Sequence, residues 1–144
     1  MPSYTGWYVG DVRLQHPTAL FVSGTSGSGK STFIKNLIER DWIRGTINNI
    51  YYFMPRMENV NIEPLEHQSL YLMEGLPTRA WVDATFSIDG PRDSLIIVDD
   101  MWAECTDSPV IKDLLQYGRS HFGVSLFFCT QYYFENSKKS IPLR

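Results

Sequence analysis

Three things are scarce in this sequence, and each scarcity narrows what the chain can be. It has only two cysteines, Cys105 and Cys129, and they stand at no metal-ligand spacing; free thiols in a reducing compartment are expected, with a disulfide between them as the alternative. Long apolar runs are missing. The longest stretches, TALFV, LIIV and VSLFFC, fall far short of the roughly 20 residues a membrane-crossing helix needs. The opening MPSYTGWYVGD also lacks the charged and apolar regions of a signal peptide. A basic stripe is absent as well: residues 58–113 carry twelve acids against three bases, and 112–144 carry five bases against two acids. That balance argues against a monomer that grips nucleic acid through its own charge. No repeat, low-complexity tract or linker divides the 144 residues, and 43% hydrophobic content is enough to bury a core. The expectation is a single soluble intracellular domain without a membrane partner.

What is present is the run GTSGSGKS at 24–31, directly after TALFV. Its spacing is G-x-x-x-x-G-K-[ST]. In that pattern glycines let the backbone wrap phosphates, the lysine reaches the β and γ phosphates, and the hydroxyl ligates magnesium. The fixed positions are Gly24, Gly29, Lys30 and Ser31, and the candidate ATP-binding run is Gly24, Thr25, Ser26, Gly27, Ser28, Gly29, Lys30, Ser31 and Thr32. A plain strand-to-helix turn rich in Gly and Ser is the competing explanation.

The surroundings bear on that choice. TALFV (18–22) reads as a buried parallel strand, and KSTFIKNLIER as a helix with Phe33 and Leu37 on one stripe and Ile34 and Ile38 beside it. Its N-terminus adds unpaired N–H groups and the positive end of the helix dipole to an anion site. NIYYFM (49–54) predicts a second strand, LYLM a short strand, PTRAWVDATF a short helix, and SLIIVDD (94–100) a strand ending in two carboxylates. Ser108 and Pro109 signal a helix start, with Val110, Ile111, Leu114 and Leu115 forming an apolar face that runs to about Gly118. VSLFFCT (124–130) is a further strand, and the tail YYFENSKKSIPLR reads as a loop around ENSKKS. Short apolar strands alternating with helices predict an α/β fold with a mostly parallel central sheet and helices on both faces. In such sheets ligands sit at the carboxyl ends of strands, where the glycine run, Asp99, Asp100 and Gln131 all fall.

Each rim residue has a chemical reading. Asp99 suits a carboxylate that holds magnesium, and Asp100 is placed to orient the attacking water; the competing explanation is that both aspartates merely start a turn after a strand. Gln131 offers an amide donor and acceptor to the γ phosphate or the lytic water, or is a plain polar residue at a strand exit. Arg119, in YGRSHF, is either a guanidinium that stabilises transferring phosphoryl charge or a surface arginine at a helix C-terminus. His16, His67 and His121 read as polar or packing residues, and Trp7, Tyr8, Trp42, Trp81 and Trp102 as core aromatics.

With these pieces placed, the chain resembles viral DNA-packaging ATPases of the FtsK/HerA superfamily, close to the poxvirus type also found in Polinton-like elements and virophages. HPTALFVSGTSGSGKSTFIKNLI, EGLPT, LIIVDDM and YGRSHFGVSLFFCTQYYF carry the resemblance, and the last is the most specific. It implies a P-loop NTPase fold and an ATPase that drives double-stranded DNA into a viral capsid from a homo-oligomeric ring on a portal or vertex protein. A ring can hold DNA with few residues from each subunit, which the charge balance allows. By the same resemblance Gly29, Lys30 and Ser31 bind phosphate, Asp99 and Ser31 serve magnesium, Asp100 activates water, Gln131 senses the γ phosphate, and Arg119 acts in trans. The implied location is the host cytoplasm or nucleus at virion assembly sites, or the virion itself. Thr18 departs from an aromatic in many similar proteins, which also continue past SIPLR into another strand and helices. Residues 1–144 are therefore expected to form one ATPase domain lacking that C-terminal part. The alternatives are a small P-loop nucleoside or nucleotide kinase, disfavoured because the region between the acidic strand and VSLFFCT offers Arg119 alone where a lid needs several arginines, and a nonhydrolytic nucleotide-binding module.

Overall fold

Each apolar run forms a strand because helices or loops cover it from both sides. In the computed structural model, which describes residues 13–24 and 29–130, β2 (Ala19–Ser23), β4 (Asn49–Met54), β5 (Ser69–Glu74), β6 (Ser94–Asp99) and β7 (Val124–Thr130) build one five-stranded sheet. Its order is β2-β7-β6-β4-β5, and every neighbouring pair is parallel. β1 (Leu14–Gln15) and β3 (Ile43–Arg44) pair as a separate parallel ribbon.

The period-2 alternation of side chains assigns alternate residues of one strand to two cores. On one face Ile34, Leu37 and Ile38 of α1 (Lys30–Glu39) pack with Ile50, Tyr52, Leu95, Ile97 and Phe127. On the other, α2 (Arg79–Thr85), α3 (Trp102–Thr106), α4 (Pro109–Asp113) and a π-helix (Leu114–Phe122) bring Val82, Cys105, Ile111 and Leu114 against Ile96, Val98, Leu126 and Phe128. The expected α/β class, with helices on both faces of a parallel sheet, is what the chain adopts. Burial also keeps the thiols protonated: both cysteines are free and buried, and burial pushes each thiol up to about 12.

Connectivity positions the site. The crossover from β2 through α1 lands on β4, past the two positions filled by β7 and β6. The returns from β5 to β6 and from β6 to β7 run over the opposite face. The crevice outside the strand ends where crossovers change direction is the usual ligand position in such sheets.

Some expectations need correction. Phe33 shares a stripe with Leu37 in the helical period, yet it is 42% exposed while Ile34, Leu37 and Ile38 are buried. Its face of α1 overhangs β2, which among the described residues pairs with β7 alone. SIPLR, past which similar proteins continue into a further strand, lies outside the described residues. Trp42, read as core, is 40% exposed with the Arg40 guanidinium 5.7 Å from its ring centroid. Trp81 does pack, edge-on against Tyr51, Phe53 and Phe86. Trp102 is half-buried between Phe21 and Phe128. No helix among the described residues is long and apolar enough to cross a membrane.

The helix starting at Ser108 and Pro109 forms as predicted, the Ser108 hydroxyl accepting from the Ile111 N–H at 3.2 Å. It does not stop near Gly118 but widens into the π-helix and continues to Phe122. The Arg92 guanidinium satisfies its last carbonyls, donating to Arg119, Ser120 and His121 at 2.9, 3.0 and 3.3 Å. Gly123 then closes the helix at φ 63, and a Cβ there would overlap the Arg92 side chain. Gly123→Ala therefore combines backbone strain with a clash, and it is expected to cost about 2 kcal/mol. Thermal unfolding should register this as a melting temperature lower by roughly 5 °C; an unchanged midpoint would mean that Arg92 moves aside at no cost.

Candidate active site

The segment 24–31 spans the end of β2 and the start of α1, as its spacing predicts. Gly29 is the residue before α1 and sits at φ 98, a left-handed backbone that favours glycine. Among the described residues nothing lies within 4 Å of where its Cβ would be, so the backbone conformation is the reason for glycine that they supply. Lys30 opens the helix, and its Nζ donates to the Gly24 carbonyl at 3.2 Å, drawing the two fixed ends of the run together. The Gly24 N–H donates to the Thr130 carbonyl at 3.2 Å, which ties the end of β2 to the end of β7. Thr25, Ser26, Gly27 and Ser28 lie outside the described residues, as does Gln131.

Beside this segment a cleft of about 240 Å³ opens between the first turns of α1 and the carboxyl ends of β4 and β6. Ser31, Thr32 and Lys35 line it from the helix, Asp99 from β6, and Tyr52 from β4. The far wall is the stretch from Glu58 to Ile62. Ser31 and Asp99, the two residues read from sequence as magnesium-holding, thus share one cavity. Its oxygen donors, a hydroxyl and a carboxylate, are the type magnesium takes.

Asp99 follows Leu95 and Ile97 on the α1 side of β6, which aims its carboxylate at the cleft. Burial pushes its carboxyl above the ordinary carboxylate range; the Tyr52 hydrogen bond opposes that shift, Asp100 adds to it, Lys30 opposes it and Glu58 adds to it. Cys129, on the neighbouring strand, also feels Asp99 and Lys30. The ammonium and the carboxylate therefore lie within each other's field.

Asp100 is a different case. Its backbone turns left-handed at φ 61, its N–H donates to the Cys129 carbonyl at 2.8 Å, and its side chain is exposed. A non-glycine residue held in this region is a strained position of the kind that collects at functional sites. Among the described residues, Asp100 does not line the cleft.

Arg119 stands apart from the rim. Its carbonyl is held by Arg92, which precedes β6, and the chain enters β7 only at Val124, so Arg119 sits at the amino-terminal ends of the strands. At about 3.3 Å per residue, β7 separates it from the rim by roughly 20 Å. His16 belongs to the same amino-terminal end. Its Nε2 donates to the Arg92 carbonyl at 2.9 Å, and its Nδ1 lies 2.6 Å from the Ser125 hydroxyl, which accepts from the Thr18 N–H at 3.0 Å. This buried network joins β2, β6 and β7, the packing role expected of that histidine. His121 stacks on Tyr117 at 5.2 Å between centroids, and His67 is exposed.

Sequence reasoning missed the wall opposite the helix. Tyr52, 6% exposed, donates its hydroxyl hydrogen to Asp99 Oδ2 at 2.9 Å. The loop beyond it is pinned to α1 through Glu39, whose carboxylate accepts from Lys35 Nζ at 2.6 Å and from the Glu63 N–H at 2.8 Å. No local pattern marks these residues, because the partners lie 47 and 24 positions apart.

No protein-family model matches the chain, and no curated protein matches it.

Proposed function

We propose that this chain is a P-loop NTPase that hydrolyses ATP with magnesium, and that hydrolysis drives double-stranded DNA into a viral capsid. The observation that carries the ATPase reading is convergence: a glycine-lysine-serine run joining a parallel strand to a helix lies next to a carboxylate on a different strand, and Ser31 and Asp99 line the same cleft. A strand-to-helix turn chosen only for its shape has no need of an oxygen-lined cavity beside it. The strand order adds support, since β7 separates the strand of the glycine run from the strand of Asp99 and brings Thr130 to the same rim.

In this reading the amide groups around Gly29 and the α1 N-terminus bind phosphate oxygens, and the Lys30 ammonium neutralises their charge. Ser31 and Asp99 would hold magnesium, which when bound supplies charge neutralisation on the phosphates. Asp100 and Gln131 are the groups proposed to orient water and to sense the γ phosphate. The coupling to DNA, the homo-oligomeric ring and the portal or vertex partner rest on the resemblance carried by YGRSHFGVSLFFCTQYYF and LIIVDDM.

The test is ATP turnover by the purified chain with and without double-stranded DNA, with nucleosides offered as phosphate acceptors in parallel. Stimulation by DNA supports the motor. Phosphorylated nucleoside would make the protein a kinase, and nucleotide binding without turnover a nonhydrolytic module.

The two aspartates should differ in kind. Asp99→Ala is expected to weaken magnesium-dependent nucleotide binding by more than about a hundredfold, beyond the roughly 10–100-fold that losing an outer partner costs. Asp100→Asn should bind nucleotide like the parent and lose turnover. Titration of a fluorescent ATP analogue with and without magnesium reads both variants, and equal loss of binding would end this division of labour.

A further inference from the structure

We infer that Tyr52 is the positioning residue for the Asp99 carboxylate, fixing one of its oxygens so that the other faces the cleft as a magnesium-holding group. The inference rests on the ATPase reading above and extends it to a strand in which sequence motifs mark nothing.

The parallel register creates the arrangement. Tyr52 is paired with Ile97 across β4 and β6, so Asp99, two residues further on, lies on the same face and diagonally ahead. Diagonal neighbours on one face of a sheet are within reach of an aromatic side chain. Ile50, Tyr52 and Met54 all belong to the core cluster under α1, which leaves the phenol ring fastened among apolar side chains with its hydroxyl at the cleft. The 2.9 Å bond goes to Oδ2 alone. A phenol in this position is stiff because its ring is packed, and it has one hydrogen to donate.

The alternative is that Tyr52 merely fills the core and bonds the nearest acceptor. One observation weighs against it. Tyr52 and Asp99 both line the cavity that Ser31 and Thr32 also line, so the bond is made at the site and not beneath it. A phenylalanine would fill the same volume without the donor, so the packing of the ring and the bond to Asp99 can be separated by substitution. Groups that orient a metal-holding carboxylate from behind typically change metal affinity by roughly 10–100-fold when removed.

The experiment uses the full chain with Tyr52→Phe, which keeps the ring and deletes only the donor. Binding of manganese, as a spectroscopic stand-in for magnesium, is measured by electron paramagnetic resonance in the presence of ATP, and nucleotide binding is measured separately in chelator. The expected result is metal affinity lower by roughly 10–100-fold, with unchanged metal-free nucleotide affinity and a parent-like circular dichroism spectrum. The same substitution made in an Asp99→Asn background should have no further effect, since the partner to be positioned is gone. A purely structural tyrosine would lower affinity equally in both backgrounds, or not at all in either, and each of these results overturns the inference. If the parent shows no metal-dependent nucleotide binding that Lys30→Ala removes, the ATPase reading fails and this inference falls with it. Parent-like metal affinity in Tyr52→Phe, with the parent itself binding, removes the role of Tyr52 alone.

Discussion

Lys30→Ala is expected to abolish measurable ATP turnover, lowering the rate by at least the roughly 10²–10³-fold that removal of one preorganised donor costs an active site, and to weaken nucleotide binding as well. The reason is the position of the ammonium. It opens α1, reaches back 3.2 Å to the Gly24 carbonyl, and lies within the field of Asp99 and Cys129. Phosphate oxygens entering between the glycine run and Asp99 would meet this compact positive charge there. Water cannot replace that charge once the site is desolvated, because a charge-assisted hydrogen bond is about twice as strong as a neutral one. Core packing of α1 depends on Ile34, Leu37 and Ile38, so the variant should melt with the parent. Parent-like hydrolysis by the folded variant would show that the run GTSGSGKS is a strand-to-helix turn and that phosphate binds elsewhere.

Arg119→Ala is expected to leave nucleotide affinity intact and to lower turnover in the assembled protein by roughly a thousandfold or more, the effect of losing an arginine supplied in trans. Geometry sharpens this expectation. Arg119 sits at the amino-terminal end of β7, roughly 20 Å along the strand from the rim, so it cannot serve the nucleotide of its own subunit. Any contact it makes with a phosphate would be in trans, and that role requires a ring in which one subunit presents this end toward the next subunit's cleft. Mixing Arg119→Ala with Lys30→Ala subunits should then recover part of the activity, because some boundaries pair an intact loop with an intact arginine. Assembly is verified by sedimentation before rates are compared. Full activity of Arg119→Ala alone, or no recovery in demonstrably mixed assemblies, would return Arg119 to the role its backbone already performs, an acceptor for the Arg92 guanidinium.

Much of the fold is written in short-range pattern. TALFV, NIYYFM, SLIIVD and VSLFFCT read as strands because a parallel strand covered on both faces is apolar at every position. Gly29 was legible because the phosphate-loop spacing requires a residue there that tolerates a left-handed backbone, and Ser108 with Pro109 because helix starts have their own chemistry. Asp99 was legible for a related reason: a carboxylate at the very end of a buried, mostly apolar strand stands out from the packing pattern. All of these signals lie within a few residues of the feature they specify.

The tertiary structure decided what depends on distant segments meeting. Phe33 and Ile34 are adjacent and both apolar, yet only Ile34 is buried, since α1 overhangs a strand that is paired on one side among the described residues. The helix continued past Gly118 because Arg92, from the loop before β6, caps its last carbonyls. Above all, Tyr52 came to face Asp99 through the register of β4 against β6. Sequence periodicity states which face of its own strand a side chain occupies, and it carries nothing about which strand lies alongside or in what register. Those are set by the sum of crossover connections and packing over the whole sheet, so the glycine-lysine-serine run and the aspartate pair could be read from the chain while the tyrosine bonded to Asp99 could not.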